Sequence, residues 1–213
     1  MEEVIQMEEV IQMEEKEEVK QKSEKLDDKY SEEILRLRYN NYKKSYIEVI
    51  ELKNSGIPIR QQNPPEDITE NMAKFIIRNY DNDPNIVWCK GIDKKYKLKG
   101  DLYSDKYSKL SPPEVKSFTS NGPSQFGPSK KFGVLYFLDL RNWLDDNIVL
   151  WKVNLTDESN EFKSVKMNKT QTHYEQCEEG RRPHISWDKL YPQIKEFTVK
   201  VYEGSFDNIF VKL

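Results

Sequence analysis

The chain has 213 residues, 36% hydrophobic and 33% charged, with a formal net charge of −3; that is enough for one large domain or for a domain with an appendage. Two cysteines, Cys89 and Cys177, and two histidines, His173 and His184, exclude a disulfide framework and a histidine-rich zinc centre, so any metal would be held by oxygen, which favours Mg²⁺ or Ca²⁺. No apolar run approaches the roughly 18 residues of a membrane helix and no signal-peptide pattern opens the chain, which points to a soluble intracellular protein with no membrane partner.

Residues 1–33 hold 13 acids and 5 bases, so the remainder carries a net +5. An acidic tail on a mildly basic body fits a body that meets an anion, and equally fits ordinary surface variation. The segment 1–30 opens with "MEEVIQ" twice. A period of six matches neither 3.6 nor the heptad, so it is expected to be a helix-prone or disordered low-complexity extension outside the functional domain, 31–213.

From Ser31, "SEEILRLRYNNYKKSYIEVIELKNSG" places Leu35, Tyr39, Tyr42, Tyr46 and Val49 on one helical stripe. Gly56 suits a helix C′ position and Pro58 blocks continuation. This helix, 31–56, either packs on the body or forms a dimer seam. "NPPEDITENMAKFIIRNY" predicts a second helix entering from Pro64 and Pro65. Asp67 and Glu70 are placed to make a capping box, and Ile68, Met72, Phe75 and Ile76 to face the core. Strands are expected at 85–92, 96–104, 113–120, 131–140 and 148–155, with one or two more after Lys195, turning at "EGS". The run "KFGVLYFLDL" has the composition of a central strand covered on both faces. The segment 167–187 lacks a clean period and is expected to be a loop or short helix. Together these predict an α/β body with a central mixed β-sheet flanked by helices.

Seven acid-x-Lys pairs occur in this sequence. On a helix, residues i and i+2 point roughly 200° apart and share no ligand; on a strand they lie on one face, about 6–7 Å apart. That leaves Asp93/Lys95, Glu114/Lys116 and Glu161/Lys163. Two carboxylates can hold a divalent cation against a phosphate oxygen while a lysine orients water and offsets charge on phosphorus. Glu114/Lys116 has the suitable upstream acid: Asp101 lies 13 residues earlier, a spacing that lets neighbouring strands bring both together.

The stretch "GDLYSDKYSKLSPPEVK" resembles the PD-(D/E)XK nuclease signature: an acid, a variable spacer, then acid-x-Lys. The following "SFTSNGPSQFGPSKKFGVLYFLDL" is similar to the tract after that motif in type II restriction endonucleases, where a polar loop facing DNA precedes an apolar strand. The resemblance covers about 64–190 and departs where the family usually has proline before the first acid, since Gly100 stands there. It implies a restriction-endonuclease-like fold, Mg²⁺ held by Asp101, Glu114 and the Val115 carbonyl, and a water positioned by Lys116. Glu70 would be the added acid from the preceding helix, with Glu66 behind it.

Duplex DNA as substrate requires cations for phosphates and amide or guanidinium groups for base edges. Ser117, Thr119, Ser120, Asn121, Ser124, Gln125, Lys130 and Lys131 offer these in one segment, and Lys166, Lys169, Gln171, His173, Arg181, Arg182 and His184 in a second. In the second the arginines could instead pair with Glu178 and Glu179. The leading expectation is a sequence-specific endodeoxyribonuclease acting as a homodimer on a short palindrome. A structure-specific repair or recombination nuclease of the same fold and a non-catalytic interaction protein remain as alternatives.

Overall fold

Ser31 begins the first described helix: its hydroxyl accepts from Ile34 N at 3.4 Å, and Glu32 and Glu33 occupy the positive first turn of α1, Glu32–Asn54. The computed structural model describes residues 30–60, 63–89 and 100–211. The MEEVIQ repeat, the pair Asp93/Lys95, the end of the strand expected at 85–92 and the first four residues of the one expected at 96–104 lie outside that range. Helix α1 ends at Ser55, and Gly56 takes φ +86°, the left-handed geometry a terminal glycine supplies.

The tyrosine stripe of α1 packs inward. Leu35 and Tyr39 are buried, Tyr39 stacks on Phe206 at 3.7 Å, and Tyr42 and Tyr46 lie 5.6 and 5.0 Å from the Trp143 ring. Much of the face that could have formed a seam is therefore used within the chain. Helix α2, Glu66–Tyr80, buries Ile68, Met72, Ala73, Ile76 and Ile77, while Phe75 is only partly covered. The expected capping box is absent. Pro65 is the N-cap and accepts no side-chain role, so Asp67 falls inside the helix, where it pairs with Arg38 at 2.8 Å.

The sheet has four strands in the order β3 (Pro113–Phe118), β5 (Val134–Asn142), β6 (Asn147–Val153), β8 (Thr198–Gly204). β3 and β5 are parallel and the other pairs antiparallel, so the sheet is mixed. Alternation along β5 explains its continuous apolar composition. Val134, Tyr136, Leu138 and Leu140 join the core under α1 and α2, whereas Leu135 and Phe137 join a second core with Phe126, Phe132, Phe162, Trp187 and Leu190.

Two short pairs flank the sheet: β1 (Val87–Trp88) with β2 (Leu102–Tyr103), and β4 (Pro123–Gln125) with β7 (His184–Ser186), both antiparallel. The second pair was not expected: it forms within stretches that read as loops. Helix α3 covers Asn160–Lys163, so Glu161 and Lys163 share a helix and not a strand, which removes them as a rival pair. Helix α4 spans His173–Glu178 with a true capping box of Thr172 and Glu175, and α5 spans Trp187–Ile194. After β8 the chain forms a 3₁₀ turn at Asp207–Phe210 in place of a further strand. Among the described residues no helix is long and apolar enough to cross a membrane.

Candidate functional site

β3 is an edge strand, so part of its backbone faces away from β5. Asp101, just before β2, covers this edge: its Oδ2 accepts the Val115 N–H at 2.9 Å. The approach is close because Gly100 packs on Pro112, where an added Cβ would lie 2.3 Å from Pro112 Cγ. That contact supplies a physical reason for glycine at a position where proline was the family pattern. On β3, Glu114 and Lys116 project to one face, with Lys116 Nζ 2.7 Å from Glu114 Oε1. The fold therefore brings Asp101, Glu114 and Lys116 to one sheet edge.

Glu70 reaches the same place from α2. It is buried, its Oε2 accepts the Trp88 indole N–H at 2.6 Å, and its charge acts on Asp101 and Lys130. Burial, reinforced by Glu114 and Glu70, holds the Asp101 carboxyl well above the ordinary carboxylate range against the opposing pull of Lys130 and the Val115 N–H. Buried Cys89 lines the cluster too, its Sγ 3.5 Å from Gly100 O; burial, then Asp101 and Glu70, push its thiol up to about 12, so it stays protonated.

The donor set suits a hard cation. Its available groups are oxygens, and Glu114 Oε2 is buried without an aligned hydrogen-bond donor. Among the described residues no three His, Cys, Asp or Glu side chains gather closely enough to hold a metal alone. Two carboxylates and a main-chain carbonyl are what the edge offers. A strand residue projects its N–H and C=O to the same side, so the Val115 carbonyl faces the Asp101 edge.

The two stretches singled out for DNA contact, far apart in sequence, meet as the β4–β7 ribbon. Gln125 pairs in register with His184, and both are exposed. Ser120 and Asn121 are exposed at its approach; Asn121 Oδ1 accepts from Arg141, which also binds Asp139 and Asp188. Ser117 is half-buried on β3, Ser124 faces inward, and Thr119 donates to Asn63 Oδ1 at 2.9 Å. Lys169 and Arg182 are exposed, Arg181 pairs with Glu179 at 2.9 Å, and Gln171 also binds Glu179.

Three of the expected DNA contacts sit elsewhere. His173 is buried, with ring centroids 4.8 Å from Phe162 and 5.8 Å from Phe126, and burial pushes its imidazole down to about 4. It is a neutral core residue because the helix that carries it packs against the second core. Lys131 is held by Asp157 at 2.8 Å and by Glu158. Lys130 turns inward, with Nζ 2.8 Å from Glu114 Oε2. Burial alone would lower its pKa, yet Glu114 and Asp101 outweigh that and raise it. Its place follows from parallel pairing. Pro113 is opposite Val134, so the residues preceding β5 arrive beside the start of β3.

The Bsp6I restriction endonuclease family matches residues 26–192. The curated type II restriction enzyme Bsp6I of Bacillus sp. (strain RFL6) is 34% identical over 87 residues, which is 41% of this chain and 48% of that relative. The chain thus aligns with about half the length of that relative. No solved structure matches. The family match takes in α2, the Asp101 edge, β3 and both arms of the ribbon, and on that match the chain belongs to the Bsp6I restriction endonuclease family.

Proposed function

We propose that this chain is a Mg²⁺-dependent, sequence-specific endodeoxyribonuclease of the type II restriction kind, acting as a homodimer on a short palindrome in duplex DNA, on a PD-(D/E)XK-type fold. One observation carries the reading: Asp101, Glu114 and Lys116 share the outer edge of β3, with Glu70 behind them. Family membership and the name of the curated relative support the same class.

Asp101, Glu114 and the Val115 carbonyl would hold the ion. When bound, Mg²⁺ supplies a lowered water pKa and positive charge against the developing phosphorane. Lys116, fixed on the strand beside Glu114, orients the attacking water and offsets transition-state charge. Glu70, anchored by the Trp88 indole, keeps the inner wall of the pocket acidic. Gln125 and His184, side by side on the ribbon, present groups to base edges, while Lys169, Arg181 and Arg182 suit phosphates. Lys116 Nζ lies 5.9 Å from the ring of Phe126, the residue after Gln125, so cutting and reading groups adjoin. A homodimer follows from the need for two symmetric sites to cut both strands of a palindrome.

The test is digestion of a sequenced phage genome with Mg²⁺ and with excess EDTA, followed by sequencing of fragment ends. Discrete bands whose ends share one short motif, present only with Mg²⁺, are expected. No cleavage of any duplex, or cleavage untouched by EDTA, refutes the reading.

A further inference from the structure

Both oxygens of Glu114 face an ammonium group: Lys116 at Oε1, 2.7 Å, and Lys130 at Oε2, 2.8 Å. The two lysines are not equivalent. Lys116 is part of a six-residue strand paired along its length with β5. Lys130 belongs to no strand or helix; its turn is closed by one bond, Lys130 N to Gly127 O at 3.1 Å. Its contact with Oε2 is close in distance but poorly aligned, since Oε2 has no hydrogen-bond partner of good geometry. Lys130 also lies within electrostatic reach of Asp101 and Glu70.

Charge balance then constrains what happens when a cation arrives. Among the described residues, the single carboxylate of Glu114 already faces two ammonium groups, one at each oxygen, so an incoming ion meets no free oxygen there. A divalent ion ligated by Glu114 would sit against both ammonium groups with Lys130 in place and against Lys116 alone once Lys130 withdraws, the less repulsive arrangement in a region poor in water. Withdrawal is open to Lys130, whose side chain is 26% exposed at the surface turn.

We propose that Lys130 is the resident counter-cation of this pocket: it occupies Glu114 in the metal-free protein, competes with the divalent ion for that carboxylate, and leaves it when the ion binds. The turn 127–131 is thereby the element that responds to metal. Lys130 is a positioning residue, and the proposal rests on the reading of Asp101 and Glu114 as metal ligands.

The test is calorimetric titration of the full chain with Ca²⁺ alone, without DNA. Lys130→Met and Lys130→Ala are compared with wild type, with Lys130→Arg, and with Lys131→Met, whose lysine pairs with Asp157 and Glu158 instead. Removing the competitor is expected to tighten Ca²⁺ binding about tenfold in both neutral variants, with Lys130→Arg and Lys131→Met near wild type. Hydrogen exchange in 127–131 of the wild type is expected to rise on Ca²⁺ addition. Melting curves confirm which variants fold, and the exchange measurement needs none of them. Unchanged or weaker Ca²⁺ binding in folded Lys130→Met, or exchange unaltered by Ca²⁺, overturns the role of Lys130. If Glu114→Gln abolishes Ca²⁺ binding while Lys130→Met leaves it unchanged, the metal site stands and only this proposal falls. If wild type binds no Ca²⁺ at all, both fall.

Discussion

Gly100→Ala tests how the pocket is held together. The added methyl carbon would lie 2.3 Å from Pro112 Cγ, 2.6 Å from Pro112 Cβ and 3.0 Å from Pro113 O. Carbon pairs rest at about 3.5–4.0 Å, so the overlap exceeds about 1 Å. Pro112 is a rigid ring leading directly into β3, and Gly100 leads directly into Asp101; neither neighbour is the free end of a flexible side chain. The strain is relieved by parting the two segments, which lengthens the 2.9 Å bond from Val115 N–H to Asp101. Overpacking of this kind costs about 1–3 kcal/mol. At roughly 2–4 °C per kcal/mol for a chain of this size, the melting temperature should fall by about 2–12 °C. A displacement near 1 Å in a catalytic constellation costs about a hundredfold in rate. Gly122→Ala is the control, since its new carbon would meet only Ser120 Oγ at 3.4 Å. The assay is differential scanning fluorimetry with single-turnover plasmid cleavage in Mg²⁺. Wild-type melting and cleavage in Gly100→Ala would refute the claim that the Gly100–Pro112 contact sets the position of Asp101.

Three further outcomes are expected. Glu114→Gln and Lys116→Met should each cut at least about 10²–10³-fold more slowly yet retain DNA binding in Ca²⁺ gel-shift assays; loss of binding together with cleavage would argue against their chemical role. His173 stays neutral in the fold down to about 4, whereas the unfolded ring takes its proton near 6.5, so the unfolded state binds more protons between those values and stability falls as pH drops through that window. The loss attributable to this ring between pH 7 and pH 5 is about 2 kcal/mol, measured as the difference in urea unfolding free energy between wild type and His173→Asn; equal pH slopes in the two would exclude it. Gln125→Ala should leave the melting temperature unchanged and relax discrimination at one base pair by about 1–3 kcal/mol, read from fragment-end sequences.

Much of the architecture was legible because its signals are local. Ser31 and Gly56 bracket α1, the alternation hidden in the apolar run of β5 marks a two-faced central strand, and Pro113–Phe118 carries an acid and a lysine at a spacing that only a strand turns into a shared face. What was missed depends on partners distant in sequence. Three-residue β4 has strand geometry only because β7, some sixty residues later, lies against it. The Asp67–Glu70 pattern has the letters of a capping box, but Pro65 starts the helix earlier and tertiary partners, Arg38 and Trp88, claim both acids. Lys130 and His173 looked like exposed polar residues of polar stretches; one is drawn in by buried carboxylates and the other by aromatic packing.

The pairing of β4 with β7 has an engineering corollary. One arm of the ribbon is covalently continuous with the strand bearing Glu114 and Lys116, and the other is delivered from the far end of the domain. Grafting a relative's 119–126 segment alone would leave a foreign arm beside the native His184–Ser186 strand, so transplanted target preference should require exchanging both arms while keeping 113–118 untouched.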